Sequence, residues 1–113
     1  MQQKISHYQS LYREYLTLQA DNERLMANLH RQNAIMDELS AFYFNHHGQS
    51  KWQRYYEAIE NGADIDLTTD GEYSVMGQDT LWDMFCDERA FYERLAKFAQ
   101  SRLDKLTNRR CWA

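Results

Sequence analysis

From Ile5 to Tyr43 the chain runs nearly forty residues without a Gly or a Pro, and its apolar residues recur every three or four positions. Proline breaks a helix interior and glycine weakens it, so their absence over this span, together with that period, predicts one long helix. Written as heptads, Tyr8, Tyr15, Asn22, Leu29, Met36 and Tyr43 fall in one column, and Leu11, Leu18, Leu25, Gln32 and Leu39 in the facing one. This is the spacing of a seam for another helix. At roughly 1.5 Å per residue the helix is about 60 Å long, more than a compact domain of this size requires. Its apolar stripe therefore calls for a partner surface.

The polar stretch Ala20, Asp21, Asn22 and Glu23 is the one place where this helix has a reason to bend. A turn there would lack both Gly and Pro, while an Asn in a seam column also fixes register between paired helices, so a continuous helix is expected. Asn45, His46, His47 and Gly48 then predict its end, with Gly48 suited to a left-handed cap and the helix covering about 3–46. Ser50 can cap a short second helix over about 51–60, where Trp52, Tyr55, Tyr56 and Ile59 share a face and Asn61 and Gly62 close it. Residues 62–77 read as an acidic loop, with Asp70 and Gly71 as turn formers and Tyr73 and Val75 favouring an extended piece. A third helix over about 78–107 carries Leu81, Phe85, Tyr92, Leu95, Ala99 and Leu106, widened by Trp82, Met84, Phe91, Phe98 and Leu103. So broad an apolar face predicts deep burial.

A chain of 113 residues, 43% hydrophobic and 14% aromatic, has the material for one real core. With no Pro and only four Gly it has little turn-forming capacity, which favours an all-α fold over a β-rich one. No segment approaches the roughly 20 apolar residues of a membrane span, and MQQKISHYQS lacks the apolar run of a signal peptide, so a cytoplasmic protein without membrane contact is expected. Cys86 and Cys111 make neither a metal spacing nor a disulfide framework and read as free thiols, Cys86 as a small buried hydrophobe. The net charge of -4 hides a strong polarity. From Tyr55 to Glu88 ten acids occur with no Lys or Arg, whereas from Arg89 onward Arg94, Lys97, Arg102, Lys105, Arg109 and Arg110 reverse the sign. A basic end on the last helix complements its macrodipole; the alternative is that one patch meets a charged partner.

Trp52, Tyr56, Glu57, Ala58, Glu60 and Gly62 match a W-x-x-x-Y-E-A-x-E-x-G block, and VMGQDTLWDMF followed by Asp87, Glu88 and Arg89 is similar to V-L-S-E-D-A-V-Y-D-L-L followed by an acidic-Asn-Arg run. With these two blocks the chain resembles an uncharacterised bacterial family, the domain of unknown function 4298. The likeness covers roughly Leu39 to Leu106, with the first helix similar only in character. It implies a helical domain with a tyrosine-rich helix end and brings no known activity. Two departures stand out: Gly77 replaces the usual cap Ser, and the loop, which in the family tends to be shorter with Pro and basic residues, is here longer and acidic.

Among the residues that could carry chemistry, Trp52 with Tyr56 and Trp82 with Phe85 are spaced to anchor packing on one helical face each, rather than to line an aromatic ligand pocket, since nothing polar converges on them. His46 and His47 point about 100° apart on a helix and have no third ligand, and the Asp66, Thr68, Asp70, Gly71 run fails as a calcium loop because Gly77 stands where a bidentate Glu is needed. No metal and no cofactor is expected. Neither a nucleophile–base spacing nor a phosphate loop is present, and Glu57 with Glu60 reads as an exposed helix face, so no catalytic residue is assigned and no enzyme is expected. The basic tail is outweighed by nearby acids, which argues against direct nucleic-acid binding.

The expected architecture is thus a single helical domain over 1–113, all-α, with the long first helix packed antiparallel to the long third and the short aromatic helix between them, a coiled-coil-like three-helix bundle. Because the first helix outreaches the third, part of the Tyr8, Leu11, Tyr15 and Leu18 stripe should stay uncovered in one chain, and a homodimer with a broad contact should cover it. The expected function is a protein-protein interaction or adaptor module. The alternative is a small acidic inhibitor or decoy of phage or mobile-element origin, which would present Glu60, Asp64, Asp66, Asp70 and Glu72 where nucleic-acid phosphates would sit on a binding protein.

Overall fold

The computed structural model describes residues 1–45 and 47–108. The chain is all-helical: α1 spans Gln2–Tyr43, α2 Lys51–Glu60 and α3 Thr80–Thr107, and no strand occurs among the described residues. The order is long, short, long, with 42, 10 and 28 residues. It divides into two compact units, Met1–His46 and His47–Ala113.

The first unit is α1 and the residues that end it. The helix passes Ala20–Glu23 without a break, as expected where no turn former interrupts it. Its end differs from the sequence expectation of about 46. Phe44 adopts an extended conformation (φ -105°, ψ 150°), and its N–H closes the last turn on the Ser40 carbonyl at 2.9 Å. The Tyr43 and Phe44 rings meet edge to face with centroids 4.9 Å apart. The helix therefore ends at Tyr43, and Gly48, with φ 134°, lies in the connection beyond it rather than at its cap. A lone helix has no neighbour within its own unit to bury a face against, and α1 has a single buried residue, Leu29.

The second unit is held by local chemistry. Ser50, itself buried, caps α2 by accepting a hydrogen bond from the Gln53 N–H at 3.0 Å. At the other end the Gly62 N–H reaches the Ile59 carbonyl and the Ala63 N–H the Ala58 carbonyl, each at 3.0 Å, with Gly62 at φ 95°. This pair of bonds is a Schellman motif, which needs a positive φ at the first residue past the cap. The Trp52 indole N–H donates to the Val75 carbonyl at 2.9 Å, and the Trp52 ring stacks on Tyr56 with centroids 5.1 Å apart. The first of the two family-like blocks is thereby tied to the start of the second.

α3 begins at Thr80, two residues later than expected, after two tight turns in which Gly77 N–H bonds the Ser74 carbonyl and Thr80 N–H bonds the Gly77 carbonyl. A Cβ at Gly77 would lie 2.6 Å from the Thr80 hydroxyl oxygen and 3.1 Å from the Ser74 carbonyl oxygen, so the close approach of these turns favours Gly at this position. Burial along α3 is narrower than its apolar face suggested. Leu81 is buried, and Met84, Phe85, Phe91, Tyr92 and Leu95 are half-buried, but Phe98, Ala99 and Leu103 are exposed.

Candidate interaction surface

The first candidate surface lies on α1. Helical spacing places Tyr8, Leu11, Tyr15 and Leu18 along one stripe, and all four stand open to solvent, at 65%, 47%, 57% and 53% exposure. Ile5, Tyr12 and Met26 are also exposed and widen the stripe, and Leu25 lengthens it. A scattered apolar side chain on a surface is ordinary; a continuous run on one helix face is not. Residues such as Tyr12 and Met26 sit one position outside the two seam columns, which is why spacing alone left them out.

The second candidate surface is the acidic segment. Glu60 ends α2, and Asp64, Asp66, Asp70 and Glu72 follow it on non-helical backbone, all exposed. The segment carries its own local order. Asp66 accepts the Thr68 N–H at 2.9 Å, the Thr69 hydroxyl donates to the Glu72 carbonyl, and Gly71 supplies the positive φ of 79° that its turn requires. Hydrogen bonds from Thr68, through its hydroxyl first and its backbone N–H second, hold the Asp66 carboxyl below the usual carboxylate range. Around Tyr73 no strand forms, and Val75 enters the turns that lead into α3.

The aromatic anchors divide. Trp52, Tyr56 and Phe85 are half-buried, whereas Trp82, expected beside Phe85 in the core, is 51% exposed. Leu81 takes the inward position at that level, and its neighbour on the helix points about 100° away. The Glu60 charge, followed by burial and a hydrogen bond with Glu60, raises the Tyr56 phenol above its ordinary pKa. Cys86 is a free thiol and exposed, so it is not the buried hydrophobe that its helical setting suggested, while Cys111 and His46 lie outside the described residues. Among the described residues no three His, Cys, Asp or Glu side chains gather as a metal site would need. No helix among them is long and apolar enough to cross a membrane.

No curated protein and no solved structure matches the chain. The profile of the domain of unknown function 4298 matches residues 5–98. That span takes in most of α1, beyond the residue-level likeness that starts at Leu39, and ends at the exposed Phe98 of α3. The chain belongs to the family of the domain of unknown function DUF4298.

Proposed function

We propose that this protein is a non-enzymatic, cytoplasmic interaction module that associates with itself through α1. The observation that carries this reading is the exposure of Tyr8, Leu11, Tyr15 and Leu18 on one continuous helix face. Water contact along such a face costs roughly 25 cal/mol per Å² of apolar area, and a second helix removes it. Helix 1 also has 42 residues against 28 in α3, so its length exceeds what one partner helix of that size spans. Light scattering at micromolar concentration tests the reading: the expected mass is twice the 13.6 kDa of one chain. Changing Leu11 and Leu18 to Glu should return it to the single-chain value, and a wild-type protein of 13.6 kDa overturns self-association.

A second reading is favoured by the exposure of Glu60, Asp64, Asp66, Asp70 and Glu72 in a span that has no Lys or Arg from Tyr55 to Glu88. These carboxylates would occupy the phosphate-binding groove of a nucleic-acid-binding protein, as a decoy. Reversing Asp64, Asp66, Asp70 and Glu72 to Lys separates the two. Partner capture that survives the reversal supports the adaptor, and capture of a nuclease or polymerase that is lost with it supports the decoy.

A further inference from the structure

In the exposed part of α1 one seam column reads Tyr8, Tyr15 and Asn22, and the other Leu11, Leu18 and Leu25. Asn22 is exposed, and so are Glu14 and Asp21, which flank the first column. Toward the C-terminus the open seam ends at Leu29, which is buried. We propose that α1 pairs with α1 of a second copy in parallel and in register, with Asn22 facing its own counterpart. The proposal rests on the reading of α1 as a self-associating surface and adds its orientation.

The amide of Asn22 decides between orientations. In a parallel, in-register pair each column faces itself, so Asn22 meets Asn22, and an amide can donate to and accept from another amide. In an antiparallel pair each column faces the other. Asn22 then meets Leu11 or Leu18 of the second chain, or Lys4 in a shorter overlap, and against either leucine its polar group is left in an apolar seam without a partner.

The flanking charges point the same way. Antiparallel helices bring this flank against itself, so the central register sets Glu14 beside Asp21 of the other chain at two places, and shifting by one heptad sets Glu14 or Asp21 beside itself. Like carboxylates at these positions oppose pairing. In the parallel pair Glu14 lies near Gln19 and Asp21 near Met26, with no like charges in contact. Arg24 approaches Asp21 in the same chain at 3.6 Å, which offsets part of the repulsion and leaves Asn22 as the stronger determinant.

The area is adequate. The stretch from Ile5 to Met26 is about 30 Å of helix. Tyr8, Tyr12 and Tyr15, each more than half exposed, offer about 300 to 400 Å² per chain, and the five aliphatic residues Ile5, Leu11, Leu18, Leu25 and Met26 bring the seam toward the ~800 Å² per partner of a standard interface. Tyrosine in the first column holds the helices wider apart than Ile or Val would, and Ile5 and Tyr12 extend the contact on one side.

Disulfide trapping tests the orientation. In the full chain with Cys86 and Cys111 changed to Ser, K4C and L25C are introduced separately, each in the second seam column, and equilibrated in a glutathione redox buffer. Mass is measured in parallel by light scattering. Parallel, in-register pairing predicts that the disulfide-linked dimer predominates for both variants. A doubled mass without cross-linking of either variant overturns the orientation while leaving self-association standing. A mass of 13.6 kDa throughout overturns both. Adding Asn22→Leu to K4C should lower the linked fraction at least twofold as antiparallel pairs enter, and an unchanged fraction overturns the role of Asn22.

Discussion

The helices α1 and α2 are specified in opposite ways. The short one is closed at both ends by named bonds, from Ser50 at its start and through Gly62 and Ala63 at its finish, and its Trp52 ring is fixed by Val75 and Tyr56. The long one has no side-chain cap, no acid in its first turn and no base in its last, and one buried residue in 42. Ten residues are too few to hold a helix in water without such help, whereas forty breaker-free residues propagate a helix on length and then depend on what covers the apolar face. Local chemistry therefore stabilises α2, whereas α1 rests on its length and, in the reading proposed above, on association.

The sharpest way to break this contrast is at the α1 stripe. Leu11→Glu with Leu18→Glu should weaken self-association by roughly a thousandfold or more, read by sedimentation or light scattering, while the near-ultraviolet circular dichroism of the second unit stays unchanged. Loss of that signal would mean that the two regions are not separately stabilised. Next in size, Trp52→Ala removes a half-buried ring, its stacking on Tyr56 and the bond to Val75, and should cost about 2 to 3 kcal/mol in chemical denaturation. Gly62→Ala forces a side chain onto a residue at φ 95° and should cost about 1 to 2 kcal/mol. Ser50→Ala, which deletes the α2 cap, should cost about 1 kcal/mol.

The smallest effect is a titration. Glu60 raises the Tyr56 pKa, so the phenol favours its neutral form in the folded chain. The corresponding stabilisation is present below the ordinary phenol pKa and is lost as pH rises through the folded value. Glu60→Gln removes the charge, and a spectrophotometric titration should show Tyr56 returning toward 10.0. A Tyr56 pKa that does not move would assign the shift to burial instead.

The legible parts of the fold were those with residue-level punctuation. Ser50, Asn61 and Gly62 announce α2 from the sequence because capping uses side chains and a positive φ that few residues supply. The all-helical class followed from the missing Pro and scarce Gly. The end of α1 was not legible, since the backbone turns extended at Phe44, a residue type with no stop signal of its own, while Gly48 carries the stronger signal nearby. Exposure of Trp82, Phe98 and Leu103 was hidden as well, because period shows which residues share a face and not which of them meet a neighbour; at Trp82 it is Leu81 that takes the inward position. The α1 stripe was found by its period, but Ile5, Tyr12 and Met26, which broaden it, stand one position off the columns.

The bond from Trp52 to Val75 joins residues 23 apart and turns the intervening chain into a closed ring. Pinned at its mouth, such a ring can lengthen at little cost, since each doubling of a flexible loop adds only about 0.6 kcal/mol of closure entropy. Selection can then rewrite the acidic segment, in length and in charge, without disturbing the helices on either side. The carboxylate-rich segment carried by this chain is the sort of sequence that a ring pinned at its mouth tolerates, and the same property makes residues 64–72 a natural place to graft a foreign epitope.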